Sequence, residues 1–100
     1  MNYNDVILEQ QEREGNAMFK GAPIVATRNF VDTFCEEWMM LAYIALKKII
    51  TTYENPDRLQ VLSYKGKKFW AIADFERGDK LSDYEDLEYF YVMFLMPEDY

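Results

Sequence analysis

The chain has no histidine, one cysteine, four glycines and three prolines among its 100 residues. Without an imidazole, and with Ser63 and Ser82 lacking any base partner in the sequence, the usual nucleophile and base arrangements cannot be assembled. A lone Cys35 forms no intramolecular disulfide and, with no histidine to join it, no zinc set. Four isolated glycines make no phosphate-binding loop. Positive charge is scarce as well: 11 Lys and Arg stand against 18 Asp and Glu, a net charge of −7. Phosphate backbones and anionic membrane surfaces require concentrated Lys and Arg, so this balance argues against direct nucleic-acid or membrane binding and for a basic partner. The apolar run Trp38 to Leu46 has nine residues, about half of a membrane span. The opening residues, MNYNDVILEQQ, carry an acid and lack the basic, then apolar, pattern of a signal peptide. The expectation is a cytoplasmic protein.

What the sequence does hold is material for a core. Half of its residues are apolar and 17% are aromatic, enough for one domain of this length and not for two. The organising segment is Phe30 to Tyr53. At helical spacing, Val31, Phe34, Cys35, Trp38, Leu41, Ala42, Ala45 and Ile49 share one face, with Asp32, Thr33, Glu36, Glu37, Lys47 and Lys48 roughly opposite. Asn29 is placed to cap this helix, the acids sit early and the lysines late, and Asn55-Pro56-Asp57 stops it. Met40, Tyr43 and Ile44 do not fit the stripe, since they project among the charges. Either a second layer of the fold covers them, or they form a self-association or partner patch.

Asn4 to Glu14 reads as a short helix capped by Asn4 and stopped by Gly15, with just Val6, Ile7 and Leu8 as its apolar grip. It is either a mobile arm or a cover for the Met40, Tyr43 and Ile44 patch. Pro23 to Arg28 has the β-branched content of a strand leading into the long helix. Beyond the proline turn the period becomes two. Leu59 to Tyr64 and Lys68 to Phe75 read as a hairpin around Lys65-Gly66-Lys67, with Gly66 supplying positive φ. Ser82 to Glu85 has the form of a capping box, and Leu87 to Met96 is a final strand, apolar on both faces. The expected fold is α+β: one long central helix packed on a three- to four-stranded, mainly antiparallel sheet, with a short N-terminal helix. Residues 1–20 form a helical arm and residues 21–100 the α+β core of a single domain.

Charge is unevenly spread. Residues 74–100 hold nine acids against Arg77 and Lys80, whereas residues 47–68 hold six bases against Glu54 and Asp57. Asp83, Glu85, Asp86 and Glu88 read as solvated or helix-capping acids rather than a catalytic pair, and their spacing lacks the alternating pattern of a calcium loop. No catalytic residue, metal ligand or cofactor is expected. The acids Asp79, Asp83, Glu85, Asp86 and Glu88, interleaved with tyrosines, are instead a candidate anionic face for a basic protein.

Thr27-Arg28 ahead of a long helix with a central Trp, then Asp57-Arg58-Leu59-Gln60-Val61, then a closing strand that ends in Leu95-Met96-Pro97-Glu98-Asp99-Tyr100, resembles a family of small uncharacterised proteins of Gram-positive bacteria and their mobile elements. The resemblance covers about residues 24 to 100 and implies a phage or mobile-element setting with no known activity. Two functions are therefore expected as alternatives. One is a non-catalytic acidic inhibitor that presents an anionic face to a basic, nucleic-acid-binding protein. The other is a structural, homo-oligomeric domain that self-associates through Met40, Tyr43 and Ile44.

Overall fold

The sheet is built outward from a two-residue turn. Lys65 and Gly66 both take positive φ, 52° and 79°, as hairpin turns matching the strand twist require, and Tyr64 is brought opposite Lys67. The computed structural model describes residues 1–77 and 88–100. In it, β1 (Val6–Leu8), β2 (Ile24–Ala26), β3 (Leu59–Tyr64), β4 (Lys67–Arg77) and β5 (Glu88–Leu95) form one sheet in the order β1-β3-β4-β5-β2. All neighbours are antiparallel except β2, which runs parallel to β5.

The helical segment expected in the middle of the chain runs from Arg28 to Thr52, in two pieces. Helix α1 (Arg28–Phe34) and helix α2 (Trp38–Thr52) are separated by a 3-10 turn over Cys35–Glu37. The interruption lies at Cys35, whose φ of 53° and ψ of −127° leave the helical region. An apolar stripe drawn through position 35 on paper puts Cys35 on the core face. The backbone reversal turns it out to solvent. The cap is Thr27, not Asn29: the Thr27 hydroxyl accepts the Phe30 amide at 3.2 Å.

Both helices cover one face of the sheet. Phe30 meets Phe69 and Phe94 at ring distances of 5.4 and 5.6 Å, and Phe34 meets Phe69 at 5.6 Å. Leu41, Ala42, Ala45, Leu46 and Ile49 of α2 join Val6, Leu62, Ala71 and Val92 in the same buried cluster. By strand alternation the reverse face carries Val61, Trp70, Ile72, Met93 and Leu95, with Tyr100 edge-on to Trp70 at 5.2 Å.

Four further expectations are corrected. Among the described residues the sheet has five strands and is mixed, because β1 adds an unexpected strand at one edge and β2, expected as a strand, pairs parallel to β5 at the other. The N-terminal helix over Asn4 to Glu14 is replaced by a 3-10 turn at Tyr3–Asp5 followed by β1. Val6 and Ile7 are β-branched, and pairing with β3 satisfies backbone groups that a three-turn helix with so small an apolar face could not anchor. Residues 1–20 are also no loose arm. Gln11 binds the Tyr53 hydroxyl, the Asn55 carbonyl and the Asp57 amide, and Gly15 and Ala17 donate to Asn55 and Pro56. Lys48, expected on the wet side of the helix, reaches over β1 and donates to the Tyr3 and Val6 carbonyls at 3.1 and 2.6 Å. Phe19 is buried in the core.

Candidate functional site

Helix α2 is apolar on more than one side. Its buried residues face the sheet, which leaves Met39, Met40 and Tyr43 pointing away at 64%, 56% and 68% exposure. Offsets of three and four residues put these side chains on adjoining rows of the helix surface. Because β2 is the last strand of the sheet, Ile24 lies at its free edge, close to the start of α2. Trp38, half-buried against the core, fills the space between them. Ile24, Trp38, Met39, Met40 and Tyr43 together line an open, mostly apolar hollow of about 490 Å³.

Of the patch expected from the sequence, Met40 and Tyr43 lie in this hollow. Ile44 does not: it is half-buried and packs against the core. The N-terminal segment does not cover the patch either, since Val6, Ile7 and Leu8 pair with β3 in the sheet and Ile7 is exposed there. The sequence reading missed Met39 and Ile24 and assigned Trp38 wholly to the core. The Met39-Met40 doublet was a usable signal, because Leu41, Ala42, Ala45 and Ile49 already fill the core-facing arc of this helix and leave both methionines outside it. Nothing local in the sequence marks Ile24 as the edge of the sheet.

The charges around α2 differ in how they are engaged. Glu37 accepts the Tyr64 hydroxyl at 3.1 Å and pairs with Lys65 at 3.8 Å. Its hydrogen bond with Tyr64 and the Glu37 carboxylate hold the Lys65 ammonium above its ordinary pKa. Lys48 is bound to β1. Glu36 and Lys47, at the two ends of the exposed stripe, are exposed. Neither side chain has an ion pair or hydrogen bond among the described residues.

The anionic face is placed only in part. Asp79, Asp83, Glu85 and Asp86, and with them the Ser82 to Glu85 capping box, lie outside the described residues. Glu88 opens β5 opposite Arg77. A second hollow, of about 520 Å³, lies among Arg13, Asp57, Arg58, Ile72 and Tyr100. Its two arginines are already paired, Arg13 with Asp57 at 3.6 Å and Arg58 with Asp74 at 3.1 Å. Among the described residues no three acids or cysteines converge as a metal-binding group, and no helix is long and apolar enough to cross a membrane. In comparison with family models, curated proteins and solved structures, the chain matches none of them.

Proposed function

We propose that this chain is a non-catalytic protein-interaction module whose contact surface is the hollow between Ile24, Trp38, Met39, Met40 and Tyr43. The observation that carries the reading is the exposure of Met39, Met40 and Tyr43 side by side on the longest helix. Full burial of such a side chain is worth about 1.5–3 kcal/mol, so a partner that covers all three gains enough to offset the ordering of its own side chains. Methionine and tyrosine suit that role. Methionine adapts its shape to the surface it meets, and tyrosine offers a large area with few rotamers to lose.

The test is a photo-crosslinking amino acid placed at Tyr43 in the expressing cell, with Lys67, exposed on the hairpin, as the control position. A protein adduct at position 43 and not at 67 supports the hollow as a contact surface. Absence of any adduct at 43 overturns it.

The charge of −7 favours a second reading, an inhibitor-like contact of Asp79, Asp83, Glu85, Asp86 and Glu88 with a basic, nucleic-acid-binding protein. Under this reading, replacing Asp83, Glu85 and Asp86 with Asn, Gln and Asn leaves folding intact and weakens capture of such a protein at low salt. Unchanged capture removes it.

A further inference from the structure

We infer that the occupant of the α2 hollow is a second copy of this chain, held by antiparallel packing of the two α2 helices about a two-fold axis. The inference rests on the hollow being a protein-contact surface and goes on to name the partner and its orientation.

The argument starts from spacing. Met40, Tyr43 and Lys47 follow one another on α2 at intervals of three and four residues, and Glu36, in the 3-10 turn that runs into α2, stands four residues ahead of Met40, so the four positions follow one another from the entry of the helix along its exposed side. All four side chains are exposed. A four-three-four spacing reads the same from either end, so the stripe can face a reversed copy of itself without a change of register. The pairs it makes share one midpoint, between Leu41 and Ala42, which are buried on the opposite face. About that midpoint Glu36 meets Lys47 of the partner subunit, and Met40 meets the partner's Tyr43.

Chemistry follows the same symmetry. Two-fold interfaces are self-complementary, so each contact occurs twice. Here that gives two acid–base pairs at the ends and two methionine–tyrosine contacts at the centre, where thioether and ring attract. Glu36 and Lys47 are open for this role, because Glu37 and Lys48 beside them are engaged within the chain. The eleven steps from Glu36 to Lys47 span about 16 Å or slightly more, at about 1.5 Å per residue in the α-helix and about 2 Å in the 3-10 turn, so the two ion pairs bracket the apolar centre. Antiparallel alignment also opposes the two helix dipoles favourably. A basic partner protein would gain from Glu36 and be repelled by Lys47, and a parallel copy would face acid with acid.

The experiment is sedimentation equilibrium of the full chain from about 1 to 100 µM, a range that brackets micromolar association. Wild type is expected to be a dimer. Glu36→Lys and Lys47→Glu, each alone, set like charges opposite each other and should raise the dissociation constant about tenfold or more. The two single variants mixed together should associate, since one chain then offers two bases and the other two acids. The double variant, with both charges exchanged, should also recover. Thermal melting of each variant checks that it is folded; if Glu36→Lys fails to fold, Lys47→Glu and Tyr43→Lys carry the loss arm.

A wild-type chain that is monomeric across the range overturns the inference. So does a dimer that neither single variant weakens, or a double variant that stays dissociated. The two readings separate cleanly. A monomeric chain whose position-43 crosslinker captures a different protein keeps the contact surface and loses the second copy, whereas a monomeric chain with no adduct loses both.

Discussion

Thr27 and Asp99, 72 residues apart in the chain, share a 2.7 Å hydrogen bond. The threonine hydroxyl donates to Asp99 and accepts the Phe30 amide, so one side chain caps α1 and fastens the C-terminal 3-10 turn at Pro97–Asp99. Asp99 also accepts the Met96 amide at 2.9 Å and the Asn29 side-chain amide at 3.3 Å. The C-terminal turn is thereby tied to the entrance of the helix.

This latch is pH-dependent. The hydrogen bonds from Thr27, then Met96, hold the Asp99 carboxyl below its ordinary pKa of 3.8. A depressed carboxylate contributes stability that is present above the unfolded value and lost as the pH falls through the folded one. Asp99→Asn should therefore melt below wild type at neutral pH, and the gap should narrow as the pH falls below the ordinary carboxylate range and the wild-type carboxyl protonates. Calorimetry across that range decides it: a gap of constant size would mean that the charge has no part in the latch.

Cys35 holds a backbone conformation that suits glycine. Its φ of 53° with ψ of −127° crowds the Cβ of any L-residue. Cys35→Gly should stabilise the chain by about 1 kcal/mol, less the unfolded-state entropy that glycine adds. In a domain of this size that is a rise in Tm of a few degrees. A lower Tm would show that the break between α1 and α2 is not strained.

Gly15 is constrained by contact rather than by φ. A Cβ built there would stand 2.8 Å from the Pro56 carbonyl oxygen and 2.9 Å from the Asp57 Cα. Both are backbone atoms, so relief requires the chain to move and to lengthen the Gly15 and Ala17 hydrogen bonds to residues 55 and 56. Gly15→Ala should cost about 1–3 kcal/mol, read as a shift in the urea midpoint.

Phe30 is the centre of the aromatic cluster and fully buried, touching Phe34 at 5.0 Å as well as Phe69 and Phe94. Phe30→Ala should cost about 3–5 kcal/mol, much of the stability of a domain with 5–15 kcal/mol in total. The substituted chain should lose its near-ultraviolet circular dichroism at a denaturant concentration that wild type tolerates. Phe30→Leu should recover more than half of the loss.

The parts of the fold that could be read from the sequence are those whose signal is local and long. The helical segment from residue 28 to 52 and the β3–β4 hairpin rest on periodicity and on Gly66, and both are present. The three-residue strand β1 is too short to establish a period, and it is a strand because β3 offers it an open edge; β2 lies within the β-branched segment that reads as a strand, but its parallel pairing with β5 is set by the sheet order. The break at Cys35 is invisible to a stripe analysis, since periodicity runs on through a residue whose backbone has turned. For the site, Met40 and Tyr43 stood out because they contradicted the amphipathic pattern. Ile44 contradicted it equally, yet tilts into the core. Ile24 required knowledge of the sheet order.

Both outer strands of the sheet come from the first 26 residues, while its three inner strands come from residue 59 onward. On the ribosome the early segments therefore emerge with nothing to pair with, and they remain extended, apolar and accessible until the hairpin and β5 have followed. Contacts of such high sequence separation slow folding and expose nascent strands to aggregation. The sheet is thus completed only once β5 has been made, and holdase chaperones have most opportunity to bind the chain while Val6, Ile7, Ile24 and Val25 wait for their partners.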